Sequence, residues 1–288
     1  MLRSMYSAIS GMQGFATKLD VIGNNIANVN TPGFKSGRVD FADVLSQTIS
    51  GGSAPAGSNG GTNPVQVGLG MRVAGIDTLF TQGADQSTGV STDLAINGAG
   101  FFTVTDSSGQ TYLTRAGDFS VDAAGNLVLP DGKVAAGFKG STPPTSSATP
   151  TAVNLKNWVP SGNTLAEAPD VQIGPDGSVS AMVNDSSGNV SRATLGYLAI
   201  ATVPNPGGLQ KVGDTLFVEG SNSGPVTYQV AGTNNTGSVA SGYLEMSNVD
   251  LTREFTEMIV AQRGFDANSH IIGTANAILQ DIVNLKNS

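Results

Sequence analysis

Both ends of the chain carry apolar residues at helical spacing, and the long interval between them does not. That arrangement narrows the accessible folds more than any other feature. At the start, Leu2, Met5, Ile9, Met12, Ala16, Leu19, Gly23 and Ile26 follow alternating steps of three and four, the spacing of a coiled-coil seam. At the end, Leu251, Phe255, Met258, Gln262, Phe265, Ser269, Ile272, Asn276, Leu279 and Val283 repeat it, widened by Ile259, Ile278, Ile282 and Leu285. Asn248 or Asp250 is placed to cap this second helix. At about 1.5 Å per residue the two helices span roughly 40 and 50 Å. The first thirty residues hold only three charges, Arg3, Lys18 and Asp20. A helix so poor in ions has neighbours on more than one side.

The first helix is expected to end by about Asn30. Thr31 precedes a proline and is pushed toward extended geometry, and Gly33 then allows a turn. Just before this stop stand Asn24, Asn25, Asn28 and Asn30. Their short amides compete for backbone hydrogen bonds, so groups outside the helix must satisfy them. From 31 to 67 the chain reads as a connector, and its run from Gly51 to Asn63 has the composition of a mobile coil. From 68 to 247 it reads as a β body. Runs such as LAINGAGFFTVT and TYLTRAGDFSVD are punctuated by Asp-to-Gly turn signals at 106–109, 122–125, 131–132, 176–177 and 185–188, where Gly supplies positive φ. A low-complexity break marks a small insertion near 140–169. The expected fold is therefore mostly β with long terminal α-helices, residues 1–30 and 248–288 forming one discontinuous coiled-coil layer.

Chemistry is sparse. His270 is the only histidine and cysteine is absent, which removes thiolate and multi-histidine metal sites and thiol nucleophiles. Asp118 with Asp122, and Asp170 with Asp176, are the available carboxylate pairs, but all sit in turn contexts that use Asp for backbone hydrogen bonds. No cofactor, metal or catalysis is expected. A net charge of −8 opposes binding to nucleic acid or an anionic membrane surface. The N-terminus lacks the unbroken apolar core of a secretory signal, and no stretch is long and apolar enough for a transmembrane helix. Two classes remain: a self-assembling structural protein, or a β-rich adhesin or sugar-binding module with helical oligomerisation ends.

The segments MLRSMYSAISGM and LDVIGNNIANVNTPGFK at the start, and SNVDLTREFTEMIVAQRGFDANSHIIGTANAILQDIVNLK at the end, resemble the signatures of the bacterial flagellar rod and hook proteins. DLAINGAGFFTV, YLTRAGDFSVDAAGNLV and the NPGGL of 205–209 extend the resemblance over nearly the whole chain. Within the family, VDLTREF and MIVAQRGFDANS resemble the hook members more than the distal rod. The short interval near 140–169 makes this a near-minimal hook subunit, with a rod subunit as the alternative. The resemblance implies a homopolymer whose terminal helices form the inner layer of a hollow tube outside the cell. Torque passes through the tube from rod to filament, and the subunits meet other axial proteins, namely rod, hook cap and hook–filament junction. It also implies delivery through the flagellar export apparatus without a cleaved signal. The residues it places in subunit assembly are Leu2, Met5, Ile9, Met12, Leu19, Asn24, Asn25, Ile26 and Asn28, with Leu251, Phe255, Met258, Ile259, Phe265, Ile272, Leu279 and Ile282.

Overall fold

The computed structural model describes residues 2–55, 60–143, 149–160, 163–165, 170–184, 189–233 and 236–287. The chain is mostly β with a long helix at each end, α1 (Leu2–Ala27) and, after the short α2 (Leu155–Trp158), α3 (Leu251–Asn287). It forms two compact units. One comprises Met1–Ala27, Gly37–Leu79 and Val249–Ser288, the other Asn28–Ser36 and Phe80–Asn248. Among the described residues, no helix is long and apolar enough to cross a membrane.

In the first unit α1 and α3 pack antiparallel, with Phe15 against Gly264 and Gly11 against Asn268. The structure departs here from the connector expected over 31–67. Gly37–Asp43 pairs antiparallel with Met71–Thr78 across a bulge at Asp40/Phe41. This hairpin lies on the flank of α1, where Gly14 faces Met71 and Phe41 and the Ser10 hydroxyl accepts from the Met71 N–H at 3.3 Å. Between those strands, Ser46–Ser50 and Val65–Gly68 form a second hairpin. Ser53 and Thr62 exchange two backbone hydrogen bonds of 2.9 and 3.0 Å beyond it. The Gly-rich run expected to be a mobile coil thus begins and ends as paired backbone, and its centre, 56–59, lies outside the described residues. Its composition concealed the pairing because Ser and Thr supply bonds there without an apolar pattern.

The second unit is built on one antiparallel path: Thr164–Leu165, Ser178–Asn184, Val190–Leu198, Val134–Lys139, Phe101–Thr105, Thr111–Thr114, Leu216–Val218, Gln210–Gly213. Successive side chains on a strand face opposite ways, and the adjacent Phe101 and Phe102 show the result. Phe102 joins the main core with Leu94, Ile96, Leu127, Val179 and Ile200, its ring edge-on to Phe119 at 5.4 Å. Phe101 faces a smaller cluster with Leu113, Phe217 and Phe80. In Ser178–Asn184 the alternation is clean, with Val179, Ala181 and Val183 buried. Within the interval read as an insertion, α2 is described and its Trp158 is a buried core residue. Residues 144–148, 161–162 and 166–169 lie outside the described set.

The Asp-to-Gly turns form as local chemistry requires: Gly109, Gly125, Gly132 and Gly177 all have positive φ. The turn 185–188 falls outside the described residues.

Candidate functional site

The carboxylates weighed for catalysis serve turns and a surface ion pair. The Asp122 carboxylate accepts from the Asn126 N–H at 2.7 Å and from its side-chain amide at 2.8 Å, and Asp176 accepts from Ser178. Asp170 takes an exposed Arg192 guanidinium at 2.6 Å. Asp118 is half-buried, and that burial raises its carboxyl above the ordinary range. His270 is exposed on α3. The surface that stands out is carried by the terminal helices.

The α1 face turned to α3 runs through Ala8, Gly11, Phe15, Lys18, Ile22 and Asn25, in steps of three and four. On α3 the answering positions are Glu254, Glu257, Ala261, Gly264, Asn268 and Ala275. Ala261 and Ala275 are buried, Lys18 meets Glu257 at 2.5 Å, and a Cβ on Gly264 would lie 2.6 Å from the Phe15 ring. The seams drawn from large apolar residues are one position away from these. Met5, Met12, Leu19, Ile26, Met258, Ile272 and Leu279 are half-buried, while Ile9, Leu251, Phe255, Ile259, Phe265 and Ile282 remain exposed. Of the Leu2 side chain nothing is described. The displacement has a physical cause: small residues let two helices approach closely, so the pair chooses its alanines and glycines and leaves its bulky residues outward. A pattern count weighted by hydrophobicity passes over such a stripe.

The asparagines separate in the same way. Asn25 is buried; its Oδ1 accepts from the Gly37 N–H at 2.9 Å, and its Nδ2 donates to the Gly37 carbonyl at 2.9 Å and to Glu254 at 3.2 Å. One side chain thereby completes both backbone groups at the start of the following strand. Asn28 accepts from the Thr31 hydroxyl at 3.2 Å, and Asn24 is exposed. Asp250 caps α3, accepting from the Thr252 and Arg253 N–H groups at 2.9 and 3.3 Å.

On α3 the uncovered apolar strip includes Phe255 at 50% and Ile259 at 58% exposure, one turn apart, while Ile282, seven residues beyond Ala275 and so in line with the seam that faces α1, is also exposed. The hairpin of the same unit adds another. Gln47 stands opposite Val67 and Thr48 opposite Gln66, so alternation gathers Leu45, Ile49, Val65 and Val67 on one side, all exposed. Large contiguous apolar patches on a protein surface are a common mark of interaction sites.

The chain thus combines a β body, paired terminal helices and uncovered apolar surface on the described residues. Residues 5–35 match the family described as Flagella basal body rod protein, residues 95–181 the Flagellar hook protein FlgE/F/G D1 domain, and residues 240–285 the Flagellar basal body rod FlgEFG protein C-terminal. The chain is 49% identical over 287 residues to the flagellar basal-body rod protein FlgG of Bacillus subtilis, covering 99% of this chain and 100% of that one. It is 35% identical to the FlgG of Caulobacter vibrioides over 97% of each chain. Similarity to the flagellar hook protein FlgE of Borreliella burgdorferi is 33% over 443 aligned positions and the whole of both chains. The chain belongs to the flagellar rod and hook axial protein family. Its relatives there are structural proteins of the flagellum, and the adhesin reading falls away.

Three residues that the sequence did not single out lie in the second unit. Lys35, Glu245 and Arg115 are buried together, with Lys35 Nζ 2.6 Å from Glu245 Oε1 and Arg115 Nη1 3.0 Å from Oε2. Burial lowers the Lys35 ammonium below its ordinary range, against the pull of Glu245. The one available signal was a lysine directly after a Pro-Gly-Phe turn.

Proposed function

We propose that this chain is a subunit of the distal rod of the flagellar basal body, a rigid shaft that passes torque outward, rather than a hook subunit. Identity of 49% to a rod protein, nearly end to end in both chains, carries this reading. The motifs VDLTREF and MIVAQRGFDANS favoured the hook. Yet the hook relatives need 443 and 463 aligned positions to accommodate the 288 residues of this chain, which favours the shorter rod member. The hook remains the second reading, supported by similarity to FlgE over the whole length.

The uncovered strip on α3, with Leu251, Phe255, Ile259 and Phe265, together with the exposed Ile282 further along that helix and the exposed Ile9 of α1, is proposed to meet other copies of the chain in a tube. Met5, Met12, Leu19, Ile26, Met258, Ile272 and Leu279 border that contact, and Leu2 is assigned to assembly by its place in the sequence alone. Asn24, Asn25 and Asn28 shape the end of α1 beneath it. Neighbouring axial proteins at the tube ends and passage through the export apparatus to the outside of the cell complete this reading. Electron microscopy of tubes grown from the purified chain tests it: straight cylinders are expected, and curved, supercoiled tubes would return the assignment to the hook.

A further inference from the structure

The backbone passes between the two units at four places, after Ala27, Ser36, Leu79 and Asn248. Within the second unit, three of these points are tied by one polar network. The Ser36 N–H donates to Asn248 Oδ1 at 2.8 Å, and Asn248 Nδ2 donates to the Thr81 hydroxyl at 2.9 Å. The Thr81 carbonyl also takes Lys35 Nζ at 2.8 Å, and Lys35 passes on to Glu245. Glu245 Oε1 accepts from the Gly83 N–H at 3.0 Å, Oε2 takes Arg115, and the Glu245 carbonyl accepts from the Gly33 N–H at 2.7 Å. Gly33 has φ +70°, and a side chain there would run into the Arg115–Ala116 backbone. Lys211 closes the other flank, donating to the Lys35 carbonyl at 3.0 Å over the Phe34 ring.

We propose that this network is a clamp that opens as one piece, holding together the chain segments that enter and leave the second unit so that none can peel away alone. An ordinary set of turn contacts would open bond by bond, since exposed backbone ends fray at little cost. Here Lys35 and Glu245 have about 1% exposure each, and every segment reaches its neighbour through one of them, Thr81 or Asn248. Lifting Ser36 therefore uncovers the Lys35–Glu245 pair, and lifting Glu245 strands two cations. In a shaft under torsion such a clamp keeps load from unravelling a single strand of chain. The clamp serves a rod or a hook subunit equally.

Hydrogen exchange of the full chain, followed amide by amide, tests it in Asn248→Ala and the milder Asn248→Asp. Neither substitution touches the acceptors of Gly33 and Gly83, which both lie on Glu245. Joint opening predicts that Gly33, Ser36 and Gly83 exchange faster together, by about tenfold or more, while Val104 and Ala181 in the sheet keep their rates. Acceleration of Ser36 alone would overturn the clamp, as would an equal rise at Val104 and Ala181. If Asn248→Ala fails to fold, Asn248→Asp decides between the same outcomes.

Discussion

Glu245 answers two cations, and this makes the buried triad unequal under substitution. Lys35→Met leaves the carboxylate with Arg115 and the Gly83 N–H, so the expected loss is about 1–3 kcal/mol, the range for one removed partner. Glu245→Leu leaves Lys35 and Arg115 buried without their counter-charge and should cost at least the roughly 3–5 kcal/mol of a broken buried pair. Denaturant unfolding of both variants checks this, and equal losses would contradict the assignment of Glu245 as the shared anion. A second residue-scale prediction concerns acid. Hydrogen bonding to Lys18 lowers the Glu257 carboxyl below its ordinary 4.5. Its contribution to stability is therefore full above that value and is lost as pH falls through the lowered one. Burial raises Glu254 instead, with the Asn25 amide working against it. Its ionised form is penalised in the fold, and acidification through the raised value relieves the penalty. The two effects oppose each other. Glu254→Gln keeps the side chain neutral at every pH, so the variant should be more stable than the parent at neutral pH, and the difference should vanish as pH falls through the raised value. Thermal melts followed by far-ultraviolet circular dichroism at neutral and acidic pH check this, and a variant less stable than the parent at neutral pH would contradict it.

For the helices, the exposed strip of α3 separates assembly from folding. Ile259 is 58% exposed in the single chain, so Ile259→Asp should change monomer stability by no more than about 0.5 kcal/mol, as surface substitutions do. Tube growth should fail, because assembly would bury a carboxylate without a partner. Sedimentation of polymer beside a melting curve of monomer reads both outcomes, and normal polymerisation would remove Ile259 from the contact. Local signals were the ones the sequence disclosed well. The helix cap, read as Asn248 or Asp250 and found at Asp250, and the turns at Gly109 and Gly125 each depend on neighbours a few residues away. The facing seam of α1 and α3 was displaced by one residue because its determinants, Gly11, Ala261, Gly264 and Ala275, carry almost no hydrophobic weight. Of the two hairpins between Gly37 and Leu79, the strand Met71–Thr78 fell within the stretch read as β, whereas Gly37–Asp43 and Ser46–Ser50 lay in the stretch read as connector, where the Gly-, Ser- and Thr-rich residues that follow hid the pairing.

At the scale of the whole molecule, the sequence disclosed the order of elements and the family, and it concealed the triad. Lys35 and Glu245 are 210 residues apart, and Arg115 and Glu245 are 130 apart; no periodicity reaches that far. The uneven packing has a measurable result. The main core of the second unit closes around fully buried Leu94, Ile96, Leu127 and Ile200, whereas the helix pair closes on alanine and glycine. Limited proteolysis of the isolated chain should therefore cut within 1–27 and 249–288 before it cuts within the sheet strands from Phe101 to Val218. Early cleavage of those strands with the helices intact would contradict this order. The antiparallel pairing of α1 with α3 also sets a timetable. Phe15 meets Gly264, and Lys18 meets Glu257, so α1 can pack on its own hairpin early but must wait for residues 239 positions further along the chain before it has a helical partner. Such distant closure is slow, because the loop entropy is lost before the contact forms. The helix pair is therefore the part of the fold whose closure comes late, after the local hairpins beside it have formed.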